Sequence, residues 1–319
     1  MRQTEWALAQ RWITEQLERH GTPATGPAVV ERERPWATVA RVPVAGGQVW
    51  FKCSNRGTGY EAGLARILGR LVPERVLTPI AVAPERGWQL LPDGGPTLRE
   101  ACGGRFEVEQ WERLLRDYAE LQRTVSGQVD ELLAAGVPDV RPPRLPELFA
   151  GLLTDEQVVR NVDPERLAAL RAWQPRIERR CARLTAAGIA PSIQHDDLHT
   201  GNVFADGSGT LRFFDFGDAS VAHPFGTMLV ALRVVADQTG VPHGDRLLHR
   251  LRDTYLTAWA DGRDLAELRR LCQDAIVVTK VSKALSYQRA LVDAGPDALA
   301  EWGGAVHGWL TELLGPDVV

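Results

Sequence analysis

Lysine is nearly missing from this 319-residue sequence: of its 37 basic residues only Lys52, Lys280 and Lys283 are lysine, the rest being arginine. A lysine that persists against that bias draws attention to its own chemistry. The four cysteines, Cys53, Cys102, Cys181 and Cys272, lie far apart with no Cys-x-x-Cys, which gives neither a disulfide framework nor a zinc site and leaves reduced cytoplasmic thiols as the expectation. No run approaches the roughly 18 apolar residues of a membrane span. Arg2, Glu5 and Gln10 interrupt the unbroken apolar stretch that a secretory leader needs, so neither membrane nor leader is expected. With a net charge of -4 and acids and bases mixed throughout, no basic stripe could track a nucleic-acid backbone. The phosphate cradle G-x-x-x-x-G-K-[ST] is absent, as are internal repeats and low-complexity tracts, and nothing points to an obligate protein partner.

The chain does hold 44% apolar and 24% charged residues, the balance of a globular enzyme long enough for one large domain or two ordinary ones. Trp6, Ala9, Trp12, Ile13 and Leu17 recur at helical spacing and predict an amphipathic helix over residues 3–20 that leans on the first lobe. Three short β-rich runs follow, residues 28–34, 38–44 and 48–53, with Ala45-Gly46-Gly47 turning between the last two. A helix over 60–71 and strands over 77–83 and 88–91 complete an antiparallel meander. The breaker cluster Pro92-Asp93-Gly94-Gly95-Pro96 marks a boundary, giving a lobe over 1–94 and a mostly helical one over 95–319. Within the second lobe a hairpin is expected from Val203-Phe204 through a turn at 206–209 to the run 211–214.

The chemistry concentrates in His195-Asp196-Asp197-Leu198-His199-Thr200-Gly201-Asn202, followed thirteen residues after Asn202 by Asp215-Phe216-Gly217. Phosphoryl transfer needs a carboxylate near the attacking hydroxyl and oxygen ligands that hold Mg²⁺ against nucleotide phosphates, and this segment offers both. A five-residue loop and a hairpin return three oxygen-bearing side chains to one end of a small sheet, which scattered residues would not do. Asp and Asn also populate ordinary turns, so the weight rests on order and spacing together. A zinc reading of His195, Asp196 and His199 lacks further ligands at sensible spacing.

The segment resembles the catalytic loop and metal-binding triplet of the aminoglycoside phosphotransferase family, H-x-D-x-x-x-x-N followed by D-[FW]-G, and is similar to the protein-kinase set. The resemblance implies an α+β, two-lobed protein-kinase-like fold: a small antiparallel-sheet lobe with one main helix, and a larger helical lobe. It implies an ATP-dependent phosphotransferase acting on a small-molecule hydroxyl, with ATP and Mg²⁺ as cofactors. Matched residue by residue, Asp197 falls at the catalytic base, Asn202 and Asp215 at the magnesium ligands, and His195 at a position that braces the loop. Lys52, in the third strand, falls where the family contacts the α- and β-phosphates, and Glu61 is its expected ion-pair partner. Pro92, Asp93 and Gly94 resemble the hinge that pairs with the nucleotide base.

The sequence departs from the kinase pattern between its first two strands, where Arg34-Pro35-Trp36-Ala37-Thr38 replaces a glycine-rich loop; Thr38 and backbone amides are the expected cover for the phosphates. Gly57-Thr58-Gly59-Tyr60-Glu61-Ala62-Gly63 imitates a dinucleotide fingerprint, but its third glycine falls one residue late and a meander precedes it. The short interval between Gly217 and a helix expected near Thr227 leaves no room for a peptide-binding activation segment, which points to a small acceptor. Relatives act on aminoglycosides, other antibiotics, choline, homoserine and sugars. Asp196 and Asp218, with Asp93, add negative charge that would suit an amine-bearing acceptor. Tyr287, Trp302 and Trp309 are candidates for its border or for core. The alternative is a catalytically degenerate kinase-fold module that only binds nucleotide.

Overall fold

The computed structural model describes residues 3–206 and 209–319. Helix α1 (Gln3–Arg19) precedes a five-stranded antiparallel sheet of β1 (Val29–Arg34), β2 (Ala37–Val44), β3 (Gly47–Ser54), β4 (Ala81–Ala83) and β5 (Trp88–Pro92), in the order β1-β2-β3-β5-β4. Helix α2 (Tyr60–Leu71) lies between β3 and β4. Strand alternation sorts side chains to two faces. Ala40, Val42, Phe51 and Leu90 face α1 and bury Ala9, Ile13 and Leu17 in one core. The opposite face, with Val39, Trp50, Lys52 and Gln89, looks into a cleft.

The expected strand over 77–83 is shorter than its β-rich composition suggests. Pro79 has no N–H to give a ladder, so pairing begins only with Ile80 N donating to Leu90 O at 2.7 Å and continues through Ala81 to Ala83.

Beyond β5 the chain is mainly helical. The helices Val108–Val125, Gln174–Ala186 and Leu265–Ala290 build the larger core with Trp111, Tyr118, Ile177 and Ile276. Two small ribbons sit within this lobe: β6 (Ser192–Gln194) pairs with β9 (Ser220–Ala222), and β7 (Val203–Ala205) with β8 (Leu211–Phe213). The second ribbon is the expected hairpin; residues 207 and 208, in its expected turn, lie outside the described residues. The architecture is a kinase-like α+β fold of two lobes. No helix of the described residues is long and apolar enough to cross a membrane.

Candidate active site

The cleft between the lobes encloses about 490 Å³, lined from above by Val39, Trp50 and Lys52, and from below by Asn202, Phe204 and Asp215. Pro92 and Asp93 line it at the end of β5, followed by Gly95. Gly94 between them accommodates the Phe204 ring, since a Cβ there would approach the ring carbons to 2.4 Å. Phe204 stacks on Phe214 with centroids 4.0 Å apart.

Lys52 is the centre of the site's charge. Its Nζ donates to Glu61 Oε1 at 2.7 Å and to Asp215 Oδ1 at 2.6 Å, tying β3 to α2 and across the cleft to the turn after β8. Burial alone would lower this ammonium's pKa, but Asp215 and Glu61 outweigh it and hold it above its ordinary value. Burial raises the Glu61 carboxyl, with Lys52 opposing. For Asp215 the balance goes the other way: Lys52 overcomes burial and lowers it, so the carboxylate stays charged. Ser54 Oγ supplies Glu61 Oε2 with a further bond at 3.0 Å.

Between β6 and β7 the loop brings Asp197 and Asn202 together. The amide Nδ2 of Asn202 donates to Asp197 O and Oδ2, both at 2.9 Å, which turns its Oδ1 away with no donor among the described residues. One free amide oxygen and one ionised carboxylate, Asp215, form a hard-oxygen pair of the kind Mg²⁺ takes. Among the described residues no group of three His, Cys, Asp or Glu side chains converges as a metal site. Burial pushes Asp197 up, yet the His199 contact and the Lys283 charge prevail and keep its carboxyl well below the usual range.

His195 is fully buried. The Phe214 carbonyl 2.9 Å from its Nε2 can only accept, so Nε2 carries the proton, and burial lowers the imidazole's pKa and keeps it neutral. It fastens the loop to the end of β8. His199 has the same tautomer by a different route: Gly201 N donates to Nδ1 at 3.0 Å, leaving Nε2–H 3.6 Å from Asp197 Oδ2.

Three expected residues stand elsewhere than the sequence suggests. Thr38 pairs with Cys53, one residue out of step with the Val39–Lys52 pair, and alternation turns its side chain to the face opposite Lys52. It lines a different cavity and cannot cover phosphates in the cleft. Asp196 has left-handed backbone, φ 61°, which points its side chain inward; it is 1% exposed and accepts from Gln194, Ser220 and Ser282. Its charge therefore braces the loop from behind and does not face an acceptor. Asp218 is not among the residues that line the cleft, and Lys283 Nζ donates to it at 2.9 Å and balances its charge.

The sequence reading did not single out Lys283, Ser54 or Tyr60 for the site. The rarity of lysine was the one signal for Lys283, and nothing in the chain marks the other two. Tyr60 Oη contacts Gly217 O at 2.7 Å and Ala219 O at 2.8 Å. The glycine look-alike also finds its reason: at Gly57 a Cβ would come within 2.1 Å of Arg289 O, so close backbone approach explains the residue without any nucleotide.

A family model described as the phosphotransferase enzyme family matches residues 64–271. The fold is similar to that of the GDP complex of wild-type aminoglycoside 2'-phosphotransferase-IIIa, at 16% identity and TM-score 0.61, covering 95% of this chain and 98% of that one. Macrolide 2'-phosphotransferase type I aligns at 17% identity and TM-score 0.57 over 92% of this chain and 96% of its own. The choline kinase LicA of Streptococcus pneumoniae aligns at 11% identity and TM-score 0.57 over 94% and 98%. Comparison with curated protein sequences gives no match.

Proposed function

Since the chain belongs to the phosphotransferase enzyme family, we propose that it moves the γ-phosphate of ATP to a hydroxyl of a small molecule, with residues 1–94 as nucleotide lobe and 95–319 as acceptor lobe. The observation that carries this reading is Lys52 held between Glu61 and Asp215 at 2.7 and 2.6 Å, in the cleft that Asn202, bonded to Asp197, also lines. A buried, permanently charged ammonium at that point suits the α- and β-phosphates, and the Phe204–Phe214 stack with Val39 suits a purine between apolar walls. The hinge at Pro92, Asp93 and Gly94 offers backbone groups to the base edge.

Asp197 orients the acceptor hydroxyl. As its oxygen bonds to the γ-phosphorus, the bond to the β,γ-bridging oxygen breaks, ADP leaves, and the hydroxyl proton passes to the carboxylate. Because Asp197 is a weak base, its share lies in aiming the hydroxyl and taking the proton late. His195 fixes the loop, and Asn202 holds Asp197 while presenting its own Oδ1. Mg²⁺ bound by Asn202 and Asp215 would supply charge neutralisation on the phosphates.

On the acceptor side, Lys283 balances Asp218 and lies 5.4 Å from the Tyr287 ring and 5.9 Å from the Trp309 ring. Within the range of antibiotics, amino sugars and related metabolites, this favours a neutral or singly charged acceptor with an apolar face over a polycation.

The test is ADP release with Mg-ATP across aminoglycosides, nucleoside and macrolide antibiotics, amino sugars, choline and homoserine. Acceptor-dependent release should fall by about 10² to 10⁴ in Asp197→Ala, with ADP binding by calorimetry retained. Unchanged turnover in that variant would sink the mechanism. Tight ATP binding with no turnover on any acceptor would instead favour the degenerate module, to which the missing glycine-rich turn already lends some weight.

A further inference from the structure

The cleft holds a second cation beside Lys52. Of the residues that line it, Lys52 and Arg32 carry positive charge, against Glu31, Glu61, Asp93, Glu100 and Asp215. Lys52 is already spanned by Glu61 and Asp215, so its ammonium meets a phosphate with two carboxylates beside it. Glu31 is taken by Arg41, whose Nε donates to Glu31 Oε1 at 2.8 Å. Arg32 has neither an ion pair nor a side-chain hydrogen bond among the described residues.

A bulge in β1 decides where Arg32 points. Val30 pairs with Ala40 and Arg32 with Val39, so Glu31 is an extra residue between them. Ala40 faces α1 and Val39 faces the cleft. In an unbroken ladder Glu31 would oppose Val39, and Arg32 would oppose Thr38 on the face turned away. The extra residue carries Arg32 over to the cleft face, as bulges beside active sites do when they re-aim a side chain. The same row continues across the sheet, with Val39 opposite Lys52 and Lys52 opposite Gln89, all of them lining the cleft. Arg32 thus stands in register with Lys52, two strand spacings of about 4.8 Å away. Its charge is close enough to Asp215 to help hold that carboxyl low.

A glycine-rich loop between the first two strands would cover nucleotide phosphates with backbone amides. Here that turn is Pro35-Trp36, and proline has no N–H to offer. We propose that Arg32 does this work with a side chain, its guanidinium binding the phosphate oxygens of the nucleotide from β1 while Lys52 meets them from β3. The planar fork of N–H groups suits two oxygens of one phosphoryl group. This assignment rests on the cleft being the nucleotide site, and it supplies the cation that compensates for the missing loop.

Calorimetric titration of wild type, Arg32→Gln and Arg11→Gln with Mg-ADP, and separately with adenosine, tests the assignment. Arg32 lies on an exposed strand, so Arg32→Gln should fold, and an unchanged melting temperature without nucleotide checks this. Its affinity for Mg-ADP should fall about tenfold or more, while adenosine affinity stays within about twofold of wild type. Arg11→Gln, which removes the same charge from an exposed position on α1, should leave both affinities unchanged. Wild-type Mg-ADP affinity in Arg32→Gln overturns the role of Arg32 and leaves the nucleotide cleft standing. Equal weakening of ADP and adenosine also overturns it, because the guanidinium would then lie on the base, and so does equal weakening in Arg11→Gln, which would reduce the effect to net charge. A wild-type protein that binds neither ligand would instead remove the nucleotide reading of the cleft, and the role of Arg32 with it.

Discussion

Asp196 and Asp197 are neighbours in the chain, yet the fold treats their carboxyls in opposite ways. Burial raises Asp196 to about 6, although Lys283 and the donors from Gln194 and Ser220 oppose it, whereas Asp197 is pulled well below its ordinary range. In the unfolded chain Asp196 would lose its proton near 3.8. The folded state therefore binds the extra proton between about pH 4 and 6, and the stability contributed by this group falls as pH rises through that window and stays low above it. Asparagine cannot ionise and tolerates the left-handed backbone. Relative to wild type, Asp196→Asn should be more stable at pH 7.5 than at pH 4, the difference approaching roughly 2 to 3 kcal/mol. Urea denaturation of both proteins at the two pH values checks this, and an equal difference at both would refute it. At this scale Asp197, Asn202 and Asp215 were legible because motif spacing fixes which backbone positions meet, and Lys52 through its place in the third strand. The inward turn of Asp196 was not, since no residue type announces a positive φ at an aspartate.

Helix α1 shows how a whole element supports the site without touching it. Trp6 and Trp12 lie 6.2 and 6.1 Å from Phe51, and Leu17 is fully buried under the sheet, all on the face opposite Lys52. The helix thus backs β3 and fixes the plane from which Lys52 projects. Leu17→Ala should cost about 2 to 5 kcal/mol, read by thermal or urea unfolding. Among molecules still folded, ADP affinity should stay within about twofold of wild type, because no cleft residue loses a contact; a larger loss would mean that α1 also sets the position of Lys52. The helix was legible in the sequence through the spacing of Trp6, Ile13 and Leu17. Which face of β2 it covered was not: the register that sets Thr38 against Cys53 comes from the two-residue turn at Ala45-Gly46, and a shift by one residue exchanges the faces. That single step is why Thr38 faces away from the cleft while Lys52 faces into it.

Across the whole molecule the lobes are joined around the N-terminal end of α2. Asn55 Nδ2 donates to Ala290 O at 2.7 Å, Trp36 meets Trp302 edge-on at 5.1 Å, and Tyr60 reaches down to the carbonyls of Gly217 and Ala219. Each of these contacts joins residues far apart in the chain, so sequence order gave no hint of them. Tyr60 matters most for function, because it directly precedes Glu61 on one side and grips the turn after Asp215 on the other. Its single hydroxyl proton is shared between two carbonyls. Tyr60→Phe leaves both without it, at a cost of about 1 to 3 kcal/mol in stability. If Tyr60 also sets the distance between the lobes, kcat for the acceptor found and affinity for ADP should each fall about tenfold, the equivalent of roughly 1.4 kcal/mol. Ser54→Ala provides the contrast: it removes a bond to Glu61 within one lobe only and should lower ADP affinity less. A Tyr60→Phe protein that melts earlier but keeps wild-type kcat and ADP affinity would show that the bridge serves stability alone, and that Lys52 and its two carboxylates hold the lobes in register by themselves.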